Sequence, residues 1–205
     1  MTDSGLRILI ADDVDLVAEA FEALLATEQG FTVVAKVGRG DLVAAAVAEY
    51  HPDVAVLDVA MPGMTGIEAA AEVSQADPNC KVLLLTALEG SGHLRQALAA
   101  GASGYVLKST SAARLIEAIR KVAAGGTVID PDLAADALRT GPSPLTNRET
   151  EILRLVAEGM TTDRIARMLF LSRGTVRNYL SNAMAKLAAD TRAEAFIKAE
   201  RQGWL

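Results

Sequence analysis

Within residues 1–125, short aliphatic and β-branched runs alternate with Ala-rich stretches of helical period, and this alternation narrows the fold more than any other feature. The apolar runs are Leu6–Ile10, Phe31–Val37, Val54–Leu57, Val82–Leu85 and Tyr105–Leu107. The helical stretches between and after them are Val14–Ala26, Asp41–Glu49, Ile67–Ser74, Gly92–Ala100 and Ser111–Ala124. In the first, Leu16, Ala20, Ala23, Leu24 and Ala26 fall near one face, and Asp15, Glu19 and Glu22 on another. Strands that read as unbroken apolar runs are covered on both faces, as parallel strands are. Five such repeats predict a doubly wound α/β domain on a five-stranded parallel sheet, with ligands at the carboxyl ends of the strands.

The rest of the chain reads differently. Residues 126–144 have Gly, Pro and Ser at both ends and form a linker, with a short helix near Pro131–Leu138. Residues 145–205 show no strand pattern and predict four short helices. Thr146 with Glu149 makes a capping box for the first, which stops at Gly159. Thr161 and Ser172 cap the second and third, and a fourth follows in "TRAEAFIKAERQG". The fold class is therefore α/β plus all-α.

Composition narrows the setting. Hydrophobic residues make up 51 % of the chain and aromatics 4 %, so the cores are built mainly from Ala, Val, Leu and Ile. No apolar run reaches membrane-span length, and "MTDSGLR" lacks the pattern of a secretory signal. Cys80 is the single cysteine, which excludes an intramolecular disulfide. A cytoplasmic protein with no membrane partner is expected. The net charge is −7 over residues 1–125, −2 over 126–144 and +3 over 145–205, so the basic end is the one suited to an anionic polymer.

The predicted strand ends carry the chemistry. The first ends at Asp12 and Asp13, the third at Asp58, the fourth at Thr86 and the fifth at Lys108. A parallel sheet gathers all of these at one edge. Crowded carboxylates cannot all stay ionised without a cation, and hard oxygen donors without His or Cys suit Mg²⁺. A metal beside a carboxylate and a lysine points to phosphoryl chemistry with Asp58 as nucleophile. Taken singly, Asp13 reads equally well as a helix cap. Cys80, His51, His93, Met61, Met64, Met160 and Trp204 read as packing or turn residues.

In the basic part, Ile165, Leu169, Val176 and Leu180 can form a small core. That leaves Arg177, Asn178 and Ser181 on the outer face of the third helix, where Arg suits guanine and Asn suits adenine in a major groove. Arg173, Thr175, Tyr179, Lys186 and Arg192 are candidates for phosphate contacts. A merely solvated basic face remains the alternative.

"ADD", "LDVAMPGMTG", "LLLTA" and "GYVLKS" together resemble the receiver domain of two-component response regulators over about residues 5–125. "LTNRETEILRLVAEGMTTDRIARMLFLSRGTVRNYLS" resembles a LuxR-type helix-turn-helix domain over residues 145–205. Joined, they resemble the NarL/FixJ family, and "GTVRNYLS" and "RQGWL" look like its DesR group, which answers a kinase sensing membrane fluidity. The resemblance implies a flavodoxin-like fold and phosphorylation of Asp58 by a sensor histidine kinase. It implies Mg²⁺ held by Asp13, Asp58 and the backbone carbonyl of Ala60, with Asp12 acting through water. Thr86 would swing to the phosphoryl group, Tyr105 would turn inward, and Lys108 would pair with phosphoryl oxygens. Phosphorylation would favour a homodimer binding promoter DNA, with RNA polymerase as a further partner. Ser109 stands where many receivers carry Pro. Apolar Ala60 and Leu88 beside the site predict slow self-dephosphorylation. Leu16, Ala20, Ala23, Leu115 and Ile119 are candidate receiver dimer contacts, although core packing explains several of them equally well, and Ala195 to Gln202 is the candidate DNA-domain contact. Two other functions compete. A Mg²⁺-dependent aspartyl phosphatase would want a second Asp at position 60, which is Ala60 here. A constitutive output domain would leave the Asp58 site without purpose.

Overall fold

The computed structural model describes residues 5–87, 92–140 and 143–205, without the side chains of residues 136 and 138–140. The chain forms two compact units whose main division falls between Ala134 and Ala135. In order, the elements of the first are β1 (Leu6–Ala11), α1 (Asp15–Ala26), β2 (Phe31–Val37), α2 (Val43–Tyr50), β3 (Val54–Asp58), α3 (Gly66–Ala76), β4 (Lys81–Thr86), α4 (Gly92–Ala99), β5 (Gly104–Leu107), α5 (Ala112–Ala123), β6 (Val128–Ile129) and the start of α6 (Pro131–Thr140). A single 3-10 turn, Gly40–Leu42, leads into α2.

All strand pairs are parallel, in the order β2-β1-β3-β4-β5-β6. The period of two is visible in the packing. Ile8 and Ile10 of β1, Val54 and Val56 of β3, and Leu83 and Leu85 of β4 share one cluster with Ala18 and Leu25 of α1 and Leu115, Ile119 and Val122 of α5. The intervening Leu9, Ala55, Leu57, Val82 and Leu84 are equally buried, on the opposite side of the sheet. Both faces are covered, which is why these strands read as continuous apolar runs. The chain winds from β1 first to β2 and then back across to β3, so the crevice at the carboxyl ends of β1 and β3 is the topological switch point.

Two expectations are corrected. The sheet has six strands, because Val128–Ile129 adds a short parallel edge strand within the stretch expected to be linker. Val128 N–H donates to Ser103 O (3.0 Å) and Asp130 N–H to Tyr105 O (3.1 Å), so the receiver-side unit continues past residue 125. The expected short helix is α6, one turn longer at most than its sequence pattern. Of the candidate receiver dimer contacts, core packing is the reading that holds for Leu115 and Ile119 (0 % exposed), while Leu16 (75 % exposed), Ala20 and Ala23 line the outer face of α1.

The second unit contains α7 (Asn147–Ala157), α8 (Thr162–Met168), α9 (Arg173–Lys186) and α10 (Arg192–Arg201). Thr146, Thr161, Ser172 and Thr191 cap these helices, each accepting a hydrogen bond from the backbone N–H three residues on. Ile152, Leu153, Ile165, Val176, Leu180, Ala183, Ala195 and Ala199 form their shared core. Among the described residues no helix is long and apolar enough to cross a membrane.

Glu149 ties this unit together. It is buried (3 % exposed) and accepts hydrogen bonds from Thr146 N–H (2.7 Å) and Oγ1 (3.0 Å) and from Lys186 Nζ (2.7 Å) at the far end of α9. Burial pushes its carboxyl up, but the bonds from Lys186 and Thr146 outweigh this and hold it below the usual Glu range. A lowered folded pKa contributes stability above the unfolded value of about 4.3, lost as pH falls through the folded value. Glu149→Gln is expected to cost about 1–3 kcal/mol at pH 7, and this difference should shrink as the pH falls below the unfolded value of about 4.3. Thermal unfolding followed by fluorescence of Trp204, the single tryptophan, packed on this core, measures it. A penalty independent of pH would refute the assignment.

Candidate functional site

Asp12 and Asp13 follow β1, and Asp58 is the last residue of β3. The switch point brings carboxylate oxygens of all three within 4.8 Å of one another. Asp12 (2 % exposed) and Asp58 (7 % exposed) are buried, and Asp13 is exposed at the mouth. Lys108, just beyond β5, reaches across the sheet edge. Its Nζ lies 2.6 Å from Asp12 Oδ2 and 3.0 Å from Asp58 Oδ2. Its backbone N–H donates to Thr86 O (2.7 Å), which fixes where the side chain starts.

Asp12 has a second task. Its Oδ1 accepts from Val14 N–H (3.0 Å) at the start of α1, where Val14 itself supplies no side-chain cap. The structural and the chemical reading of an Asp at this strand end therefore both apply to the same pair, with the capping falling to Asp12 rather than Asp13.

Burial pushes the Asp58 carboxyl above the usual range, helped by the Asp12 charge and opposed by Lys108 and by a hydrogen bond from Ala60 N–H. Burial also works against charge on Lys108, but its bonds to Asp12 and Asp58 prevail and raise its pKa. Three carboxylates facing one ammonium leave a local excess of negative charge. The donors are all hard oxygens, and exposed Asp13 leaves the cluster open to water, so the residues suit a divalent cation.

Gly66 sets the position of Asp58. Its N–H donates to Val59 O (3.0 Å), and a Cβ there would sit 2.0 Å from Asp58 O. Only glycine lets α3 begin this close to the strand end. Thr65 and Glu68 form a capping box behind it. The T-x-x-E signal stands in "MTGIE", two residues ahead of the helical stretch expected from Ile67.

Thr86 ends β4 and is buried beside the acidic cluster. Tyr105 is turned fully inward. The Thr86 hydroxyl is its polar neighbour, yet the phenol oxygen makes no well-formed hydrogen bond, and burial pushes the phenol up to about 12. Ala60 and Ser109 are exposed, while Leu88 lies outside the described residues. Met61 is buried, and Met64 is half-buried in the same loop.

On α9, Arg177, Asn178 and Ser181 are exposed, with Val176 and Leu180 turned into the core. Asn182, one turn beyond Asn178, shares that exposure. The expected phosphate contacts divide. Arg192 is exposed at the start of α10. Arg173 is exposed but paired with Asp163 (2.7 Å) of α8. The Thr175 hydroxyl is bonded to Ser172 (2.8 Å), and Tyr179 is half-buried against the core. Lys186 is held by Glu149, which makes it a structural residue in this state.

Residues 8–120 match the family described as response regulator receiver domain, and residues 143–199 the bacterial regulatory proteins of the luxR family. The chain is 39 % identical over 199 residues to the transcriptional regulatory protein DesR of Bacillus subtilis, covering 97 % of this chain and 98 % of that protein. It is 40 % identical over 200 residues to the transcriptional regulatory protein YvfU of the same organism, covering 98 % and 100 %. Among solved structures it is similar to the response regulator ChrA of a heme-sensing two-component system, at 28 % identity and a TM-score of 0.60 over 98 % of this chain and 100 % of that one. The chain therefore belongs to the two-component response regulators of the NarL/FixJ family, phosphorylation-driven regulators in which a receiver domain is joined to a luxR-type DNA-binding domain.

Proposed function

We propose that Asp58 is the phosphoacceptor and that its phosphorylation by a sensor histidine kinase promotes dimerisation and promoter binding. The observation that carries this reading is the Asp58 carboxylate, buried at the switch point with Lys108 at 3.0 Å and two further carboxylates beside it. An Asp58 oxygen attacks phosphorus, the new O–P bond forms as the N–P bond of phosphohistidine breaks, and the nitrogen that held phosphorus keeps the electron pair, so the ring leaves as neutral imidazole with the proton already on its other nitrogen. Lys108 already contacts Asp58 and can exchange that contact for a phosphoryl oxygen. Thr86, at the next strand end, supplies a hydroxyl to the same group, and inward Tyr105 occupies the space behind it. Mg²⁺ is the divalent cation proposed for Asp12, Asp13, Asp58 and the carbonyl of Ala60, where it would offset the charge on the phosphoryl oxygens. The receiver assists only its own phosphoryl transfer and is not an enzyme with a separate substrate.

In the output domain, Arg177, Asn178 and Ser181 are proposed to read bases. Arg173, Thr175, Tyr179 and Arg192 are proposed to lie along the phosphates, with Lys186 joining them only if it leaves Glu149. The exposed stripe Leu16, Ala20 and Ala23 on α1 is the proposed receiver dimer contact, and α10, with Ile197 exposed, that of the DNA domain. A regulator bound at promoters works in the cytoplasm beside the DNA, with RNA polymerase as its further partner.

Incubation with acetyl phosphate and Mg²⁺ should label wild type and leave Asp58→Ala unlabelled. The label should persist for minutes or longer, because Ala60 cannot orient an attacking water; decay within seconds would contradict that role. Mg²⁺ alone should raise the melting temperature of wild type, as any ligand of the native state does. Asp13→Asn should remove most of that rise, and an undiminished rise would place the ion elsewhere. In gel shifts at fixed salt, phosphorylation should tighten wild-type binding but not that of Asp58→Ala. Arg177→Ala should cost about 1–3 kcal/mol and relax preference at one base position.

A further inference from the structure

The loop after Asp58 is held from outside by a different part of the chain. It runs from Val59 to Thr65, and its end is fixed by Gly66 and the Thr65–Glu68 box. Its middle meets the turn that follows β2. Gly40 is buried there, and its N–H donates to Pro62 O (3.2 Å). A Cβ on Gly40 would lie 1.9 Å from Met64 O and 2.7 Å from the Met64 carbonyl carbon, so the two backbones are in direct contact. On either side of Gly40, Arg39 and Asp41 close a two-point ion pair, Nε to Oδ1 at 3.0 Å and Nη2 to Oδ2 at 2.8 Å. That fork lies against Gly63: a Cβ on Gly63 would come within 2.7 Å of both Arg39 Nη2 and Asp41 Oδ1. Gly63 has φ +81°, a conformation that glycine adopts freely and other residues resist.

We propose that Arg39, Gly40 and Asp41 form a buttress that positions the phosphoacceptor loop, with Gly40 as its bearing point. Since β1 lies between β2 and β3, the turn spans the sheet edge where Asp12 and Asp13 stand and meets the loop beyond them. The loop carries Ala60, whose N–H already holds the Asp58 carboxylate and whose carbonyl is one of the proposed cation ligands. A displacement of the loop by a fraction of an ångström therefore reaches both the nucleophile and the ligand set, and catalysis is sensitive to errors of that size. None of the three residues touches the reacting atoms, so they are positioning residues. An exposed ion pair contributes little to stability by itself. Its effect here is to keep the turn rigid against Gly63.

The proposal rests on Asp58 being the phosphoacceptor, so the test includes wild type and Asp58→Ala in the full-length chain. The rate of phosphorylation by acetyl phosphate is measured across Mg²⁺ concentrations, with amide exchange of Met61, Gly63 and Met64 in Mg²⁺-free buffer as an independent readout. Gly40→Ala is expected to raise the half-saturating Mg²⁺ concentration several-fold, slow the saturated rate about tenfold and speed exchange at the three amides. Arg39→Ala with Asp41→Ala, both at exposed positions, should move the same quantities about threefold. A purely structural turn would lower the melting temperature and leave Mg²⁺ half-saturation unchanged. If both variants stay within twofold of wild type, or if Gly40→Ala does not fold and the double variant stays within twofold, the buttress is overturned. If wild type itself takes up no phosphate, the reading of Asp58 fails instead.

Discussion

Lys108 spanning Asp12 and Asp58 is the contact on which the receiver's geometry turns. Two buried carboxylates and a third at the mouth repel one another, and one ammonium cannot neutralise them. The cluster persists because the surrounding fold is rigid. Its strands are buried on both faces, Gly66 packs α3 against the end of β3, and the Asp12 carboxylate is also spent on the start of α1. The unbalanced charge makes the site receptive to a cation, and the burial that raises the Asp58 pKa makes it responsive to what binds there.

The same residues connect the site to the rest of the molecule. Thr86 O accepts from Lys108 N–H, so the strand that ends in Thr86 sets the root of the lysine. Tyr105, two residues into β5, holds β6 through its carbonyl, and Asp130, whose N–H makes that bond, caps the start of α6. The strand bearing Tyr105 and leading to Lys108 thus also bears the segment leading out of the receiver. The buried Tyr105 phenol has the Thr86 hydroxyl as its polar neighbour, and burial pushes it up to about 12.

The output domain solves a similar problem with fewer residues. Its small core is closed by Glu149, which serves as the capping partner of α7 and as the counter-ion of Lys186 on α9. Polar bonds here join helix ends that apolar packing alone would leave free to slide. The outer face of α9 is thereby kept for Arg177, Asn178, Ser181 and Asn182.

The sequence by itself determined the division into α/β and helical parts, the parallel sheet, and the gathering of Asp12, Asp13, Asp58, Thr86 and Lys108 at one edge. These follow from local periodicity and from strand order, which are written along the chain. It also placed Arg177, Asn178 and Ser181 outward, since their neighbours Val176 and Leu180 had to face inward. Tertiary structure alone decided the rest. A two-residue strand such as Val128–Ile129 carries too short a pattern to be read. Periodicity shows that α5 has an apolar face but not that Leu115 and Ile119 exhaust it on the core. Nor does it show that Lys186 would be spent on Glu149, that Asp12 would take Lys108, or that Gly40 would bear on Met64. Each of those pairs joins residues far apart in sequence, and which partners meet is settled only when packed elements bring them within bonding distance.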